Sequence, residues 1–256
     1  MRNLDVTLIQ CELAWEQPKD NRRQIGATID GLDQSTDLIV LPEMFTTGFS
    51  MNALANAEDP GGTTEQWLLR LAVEHDCAVT GSIAVREGDC VYNRMLFVTP
   101  SEVQHYDKRH LFRMAGEDKR YTAGQTRVVV PWRDWRINLQ VCYDLRFPVF
   151  SRNQDDYDLL VYVANWPAQR RHHWRQLLMA RAMENLACVV GVNRIGADAK
   201  GFQYSGDSLA IAADGELLLD VRNDNAAASV VLDGAALKHY REKFPCQLDA
   251  DSFQLD

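Results

Sequence analysis

The chain has 256 residues and a formal net charge of −9 at neutral pH, and its 27 lysines and arginines form no long run. That balance argues against a nucleic-acid groove or an anionic membrane as main partner and points to a small-molecule ligand. No apolar stretch reaches membrane-spanning length, the polar N-terminus has no signal-type core, and six scattered cysteines lack any C-x-x-C spacing. The expectation is therefore a cytoplasmic protein with reduced thiols, folded as a single domain over residues 1–256.

Leu4 to Gln10 read as a first strand, and Asp20 is placed to cap a helix whose positions Ile25, Thr28, Ile29 and Leu32 follow helical spacing. In Asp37-Leu38-Ile39-Val40-Leu41-Pro42-Glu43, four consecutive apolar residues predict a strand buried on both faces. Pro42 ends it, and a carboxylate stands immediately beyond. Thr63 and Gln66 have capping-box spacing at the head of a helix through Trp67, Leu68, Leu71 and Ala72. Residues 77–85 are strand-like, and residues 93–98 are expected to pair with 103–107 across Thr99-Pro100-Ser101-Glu102.

Trp135, Ile137, Leu139 and Val141 alternate with polar residues, which puts them on one face of a strand that stops on Cys142. Residues 158–164 form another near-continuous apolar strand, ending in Asn165-Trp166-Pro167. A helix over about 172–186 and a strand over 188–193 follow. Residues 208–213 and 216–221 flank Asp214-Gly215, a two-residue hairpin signal. Strand-helix alternation mixed with hairpins implies an α/β sandwich with parallel and antiparallel pairs, and an internal duplication is not readable.

Apolar strands here end with chemistry. Glu43, Cys142 and Asn165-Trp166 converge on one crevice if their strands are neighbours running the same way. Each residue also has a plainer reading: a buried cysteine packs as a small hydrophobe, and a carboxylate after a strand caps a helix or meets an arginine. Lys108, at the end of the 103–107 strand, is a solvated loop lysine unless it is buried opposite carboxylates such as Glu43 and Glu117. His105, His110, His172 and His173 lack a ligand pattern, so neither a histidine base nor a metal site is expected. Trp166 is either core or a pocket wall.

Leu41-Pro42-Glu43-Met44-Phe45, Tyr106-Asp107-Lys108-Arg109-His110-Leu111-Phe112 and Cys142-Tyr143-Asp144-Leu145-Arg146-Phe147-Pro148 resemble the three catalytic blocks of the nitrilase superfamily of carbon-nitrogen hydrolases. They occur in the family's order and at compatible separations. The likeness continues through Asn165-Trp166-Pro167 and Arg181-Ala182-Met183-Glu184-Asn185, and so covers nearly the whole chain. Within the superfamily the chain is most similar to bacterial omega-amidases, which hydrolyse 2-oxoglutaramate and related monoamides of dicarboxylic acids.

The resemblance implies a four-layer αββα sandwich with mixed sheets that forms a homodimer and needs no metal or organic cofactor. It implies Cys142 as nucleophile, Glu43 as general base, Lys108 as the cation beside the tetrahedral intermediate, Glu117 as a second glutamate and the Tyr143 backbone N–H as an oxyanion donor. The activity implied is cleavage of a linear amide to a dicarboxylate and ammonia through a thioester. Deaminated-glutathione amidases and carbamoyl hydrolases share the same triad and stand as alternatives; a non-catalytic scaffold is opposed by the joint presence of the three residues. Phe45 and Trp166 are candidate pocket walls. A guanidinium binds a carboxylate bidentately, so Arg113 and Arg170, with Arg120, Arg171 and Arg194 behind them, are candidates for the distal carboxylate.

Overall fold

Alternation within the apolar runs sets the architecture. In the computed structural model, which describes residues 1–224 and 226–254, Leu4, Val6 and Leu8 of the first strand join one buried cluster and Ile9 another. A strand with two apolar faces must be covered on both. The first part of the chain supplies β1 (Leu4–Gln10), α1 (Pro18–Asp30), β2 (Leu38–Val40), α2 (Ala53–Asn56), α3 (Thr63–Glu74), β3 (Ala78–Glu87), β4 (Cys90–Val98) and β5 (Val103–Asp107). The remainder supplies β6 (Val129–Trp132), β7 (Trp135–Val141), β8 (Leu159–Ala164), α4 (Arg171–Asn185), β9 (Cys188–Asn193), β10 (Ile195–Ala197), β11 (Gln203–Ser205), β12 (Ser208–Ile211), β13 (Leu217–Val221), β14 (Ala226–Leu232) and α5 (Gly234–Lys243).

Among the described residues these strands make two six-stranded sheets, ordered β14-β1-β2-β3-β4-β5 and β6-β7-β8-β9-β12-β13, beside the short β10-β11 pair. From its first edge, each large sheet runs antiparallel, parallel, parallel, antiparallel, antiparallel. The duplication hidden in the sequence is thus plain in the topology.

The two sheets meet face to face through Leu4, Val6, Leu8, Leu38 and Val40 on one side and Ile137, Leu139, Val141, Val161, Val163 and Val190 on the other. Residues of opposite parity face outward. Ile39, Leu41 and Val79 lie under Ile25 and Ile29 of α1 and Leu68 and Leu71 of α3, while Leu160, Tyr162 and Val189 lie under Trp174, Leu178 and Ala182 of α4. The result is the αββα sandwich that the resemblance implied. Close approach of α4 depends on Gly191, where an added Cβ would lie 2.5 Å from Leu178 Cδ1. No helix among the described residues is long and apolar enough to cross a membrane.

Some local expectations are corrected. Helix α1 starts at Pro18 after Gln17, because a proline's fixed φ suits a first helical position; Asp20 falls inside the first turn and pairs with Arg23 instead of capping. The capping box at Thr63 does not form: Gly62 is the N-cap, and the Glu58 carboxylate accepts the Thr64 N–H at 2.7 Å and its hydroxyl as well. The β12-β13 connection is longer than two residues, since Ile211 pairs with Leu217 after a register shift and leaves residues 212–216 as the loop. Strand β14 and the β10-β11 pair carried no sequence signal that was read.

Candidate active site

Four strand ends put chemistry on one edge of the sandwich. Strands β2 and β5 run in the same direction, since two antiparallel pairings separate β5 from β3, which parallels β2. Strands β7 and β8 are parallel neighbours in the other sheet. Glu43 and Cys142 therefore meet across the sheet-sheet interface, not along one sheet as the expectation of neighbouring strands had it.

Glu43 follows β2. Leu41 still bonds in register to the Thr80 carbonyl at 2.7 Å; Met44 then takes a left-handed turn (φ +46°), and the N–H groups of Met44 and Phe45 bond to Ser82 at 3.0 and 3.1 Å. This turn folds the chain over the end of β3 with Glu43 inside. Across the interface, Asn165 at the end of β8 donates its backbone N–H to Glu43 Oε2 at 2.8 Å and its side-chain Nδ2 to the Glu43 carbonyl at 2.6 Å.

Lys108 follows β5, and its backbone N–H is held by the Asn93 carbonyl of β4 at 3.0 Å. Its Nζ lies 2.9 Å from Glu43 Oε1 and 3.1 and 3.0 Å from the two oxygens of Glu117, and all three side chains are fully buried. A buried ammonium of this kind persists only with charge partners. Burial acts to lower the Lys108 pKa, but the carboxylates of Glu117 and Glu43 outweigh it and hold the group well above the usual lysine value. Glu117 sits in a loop with a left-handed Gly116 (φ +77°) before it, and its Oε2 also accepts the Phe112 N–H at 2.6 Å. Its own pKa is raised by burial, against the pull of Lys108.

Cys142 opens a short 3-10 helix, Cys142–Arg146, in a left-handed conformation (φ +45°) that a non-glycine residue adopts only when its surroundings enforce it. The enforcing group is Asp144. Its buried carboxylate accepts the Val141 N–H at 2.9 Å, the Tyr106 hydroxyl at 2.8 Å and the His110 N–H at 3.0 Å, and lies 2.7 Å from His110 Nδ1. His110, stacked on Phe147 at 4.0 Å, thus belongs to the support of the turn. The thiol stands close enough to Glu43 for that carboxylate to act on it. Burial first, and the Glu43 charge second, push the thiol pKa well up, and Lys108 only partly offsets them. Both causes favour the thiol over the thiolate. Tyr143 is second in the 3-10 turn, where backbone N–H groups have no acceptor within the helix.

Above this cluster opens a cavity of about 590 Å³ with Phe49, Phe112 and Trp166 among its apolar walls. Trp166 serves both of its expected roles, lining the cavity while packing on Trp174 at 5.6 Å. Phe45 does not reach the cavity. The turn at Met44 sends it into the core under Trp67, 6.0 Å ring to ring, and Phe49 takes the wall position instead. Arg113 is also corrected: its side chain is 85% exposed, pairs with Asp118 at 3.3 Å and lies outside the cavity. Arg170 does line it, with its guanidinium 5.7 Å over Phe112. Arg171 is paired with Asp207, Arg194 is buried against backbone carbonyls, and Arg120 borders a different cleft.

Two cavity cations were missed. Arg146, four residues past Cys142, stacks 4.9 Å over Trp166 with Nη2 2.9 Å from His173 Nδ1, and Lys200 projects from the β10-β11 loop. Among the described residues, no carboxylate pairs with Arg146, Arg170 or Lys200. Spacing within the cysteine block could have flagged Arg146; nothing local marked Lys200. Among the described residues, no group of three or more His, Cys, Asp and Glu is arranged to hold a metal ion.

The carbon-nitrogen hydrolase family model matches residues 5–236. An omega-amidase YafV of Yersinia enterocolitica is 49% identical over the whole of both chains, and a 2-oxoglutaramate amidase of Bacillus subtilis is 29% identical over 94% of this chain and 95% of its own. A carbon-nitrogen hydrolase superfamily protein of Xanthomonas campestris, solved with an arsenic adduct in its active site, superposes with a TM-score of 0.98 at 44% identity, covering all of both chains.

Proposed function

This chain belongs to the carbon-nitrogen hydrolase family, and we propose that it is an omega-amidase that cleaves the terminal amide of 2-oxoglutaramate-type dicarboxylic monoamides through a thioester on Cys142. The carrying observation is the gathering of thiol, carboxylate and ammonium, drawn from three remote segments, at the floor of a cavity where, among the described residues, Arg146, Arg170 and Lys200 have no carboxylate partner.

An amide carbon is a weak electrophile, so the thiol must be deprotonated as it attacks. With the thiol pKa raised, that proton passes to Glu43 in the same step, and the sulfur adds to the carbonyl. Lys108 has three N–H bonds and three oxygen contacts, one on Glu43 and two on the single Glu117 carboxylate; as charge grows on the substrate oxygen, one of the two N–H bonds on Glu117 turns to the oxyanion while the other holds that carboxylate. The Tyr143 N–H is the second donor. Loss of one such donor typically costs roughly 100-fold or more in turnover. Protonated Glu43 then returns its proton to the departing nitrogen, ammonia leaves, and the same carboxylate activates water to hydrolyse the thioester. Glu117 keeps Lys108 charged and in place. Arg146 and Arg170 receive the distal carboxylate, and the Trp166 ring, 4.9 Å below the Arg146 guanidinium, holds that group in the cavity wall.

The proposal includes a cytoplasmic homodimer, tested by light scattering of the purified protein. Its chemistry is tested by ammonia release across 2-oxoglutaramate, 2-oxosuccinamate, free glutamine, a carbamoyl amino acid and deaminated glutathione. Preference for the two short 2-oxo monoamides is expected; preference for deaminated glutathione or the carbamoyl compound would reassign the substrate, and full activity of Cys142→Ala would remove the thioester.

A further inference from the structure

Asn93 lies in the middle of β4, fully buried, at a position where its strand neighbours Val91 and Met95 are apolar. Its Nδ2 uses both hydrogens within the charged cluster, 2.8 Å from Glu43 Oε1 and 3.2 Å from Glu117 Oε1, and its backbone carbonyl holds the Lys108 N–H. Its Oδ1 is buried with no partner among the described residues. An orphaned acceptor makes this amide a poorer core residue than an apolar side chain of the same size, so packing does not account for it.

The distribution of donors over the two carboxylates does. Glu43 Oε1 accepts from Asn93 and Lys108; Glu117 Oε1 accepts from the same two; Glu117 Oε2 accepts from Lys108 and Phe112. Among the described residues, Glu43 Oε2 has one donor, the Asn165 N–H. A carboxylate oxygen has two lone pairs, so among the described residues three of these four oxygens are full and one has room for the thiol proton.

Resting on the thioester reading above, we propose that Asn93 is a positioning residue that fills Oε1 of Glu43, leaves Oε2 as the atom that takes the Cys142 proton, and keeps two adjacent carboxylates ionised. In the step it serves, the S–H bond breaks, the proton bonds to Oε2, and the sulfur electron pair forms the C–S bond. The charged and titratable groups facing Glu43 are Lys108, Glu117, Cys142 and Tyr121, whose phenol is raised by burial and by both glutamates; the second sheet contributes the uncharged Asn165. Without the Asn93 bridge the ionised pair is less favoured, so the acid limb of kcat/KM, which belongs to the cluster as a unit, moves to higher pH.

The test compares Asn93→Ser and Asn93→Asp with the full-length wild type for 2-oxoglutaramate hydrolysis against pH, with melting temperatures at each pH. The acid limb should rise by about one pH unit in the serine variant, as expected for a lost hydrogen bond to a charged group, and further in the aspartate variant. Plateau kcat should fall roughly tenfold with KM unchanged, because Asn93 lies behind the base and not against substrate. Folded variants whose limb stays in place, or whose loss appears in KM, overturn the assignment. As a measure independent of variant folding, the assigned 15N side-chain resonance of Asn93 in the wild type should titrate with the acid limb; a resonance unmoved across it also overturns the assignment. Full activity of Cys142→Ala would defeat the thioester reading itself, whereas an inactive Cys142→Ala with an unmoved limb in the Asn93 variants defeats only this inference.

Discussion

Lys108→Met removes the ammonium that two buried carboxylates share and leaves a side chain of similar length. Glu43 keeps Asn93 and Asn165 as donors, and Glu117 keeps Asn93 and Phe112, but neither keeps a counter-charge. Removing one partner of a buried pair costs about 3–5 kcal/mol, a large part of the roughly 5–15 kcal/mol that holds a domain folded. For a chain of this size that is a loss of about 10 °C in Tm. The carboxylates can escape by binding protons, which gives the cost a pH dependence of known sign. With Lys108 gone, their folded-state pKa values rise above the unfolded value. The folded state then holds more protons than the unfolded one, and stability falls as pH rises through the window between the two values. The Tm deficit should therefore be small near pH 5 and largest near pH 8. In the wild type the corresponding Lys108 contribution is fully present below the unfolded lysine value and is lost only in strongly alkaline solution, since the folded value is raised. Turnover should fall by at least roughly 100-fold at every pH through loss of the oxyanion donor. Melting by circular dichroism from pH 5 to 8.5, together with ammonia release, tests both statements. A deficit that is pH-independent, or near-normal turnover, would refute the shared-ammonium reasoning.

Cys142→Ala should abolish hydrolysis with Tm within a few degrees of wild type, and intact mass after incubation with substrate should show an acyl adduct only where the thiol is present. Glu43→Gln should separate reactivity from catalysis. Removing the second-largest cause of the raised thiol pKa while retaining Lys108 makes the thiolate more accessible, so alkylation by iodoacetamide near pH 7 should speed up while amide hydrolysis is lost; slower alkylation would contradict the charge assignment. Arg146→Met should raise KM for 2-oxoglutaramate by about 10-fold to 100-fold with little change in kcat, and should leave an uncharged short amide unaffected; equal losses on both substrates would remove Arg146 from carboxylate binding.

Strands were legible where burial on both faces forced continuous apolar runs, as in Leu38–Val40 and Leu159–Ala164. Elements whose ends depend on remote partners were not. Helix α3 is capped by Glu58 from a preceding loop, so the local Thr63 and Gln66 spacing misled. Strand β14 alternates half-buried and exposed residues at a sheet edge, and its order comes from pairing with β1 at the other end of the chain. Within the site, Glu43, Lys108 and Cys142 each follow a strand, a position that by itself left the plainer readings open; the resemblance of the three blocks is what singled them out. Phe45 and Phe49 were exchanged because the left-handed turn at Met44 decides which ring faces the cavity, and composition does not encode that turn. Asn93 was readable in principle as a lone amide in an apolar strand, but its meaning lies in a pairing with Lys108 and in two carboxylates that come from different loops.

The duplicated topology gives the site its particular sensitivity. Glu43 and Lys108 belong to the first sheet and Cys142 and Asn165 to the second, so the thiol-carboxylate contact measures the spacing between two sheets held apart by close-packed aliphatic side chains. Asn165 fixes that spacing locally, with one N–H on the Glu43 carboxylate and one on its carbonyl. Filling or emptying the layer between the sheets, even at residues remote from the cavity, therefore shifts base relative to nucleophile, and small displacements of this kind are costly because reacting groups must be aligned within fractions of an ångström. A core exchange such as Val163→Ala, two residues before Asn165 on β8, should accordingly lower kcat by a larger factor than an equally destabilising exchange on the inner face of α4, such as Leu178→Ala. Equal losses of kcat at matched loss of Tm would show that the two halves carry the site as a rigid body.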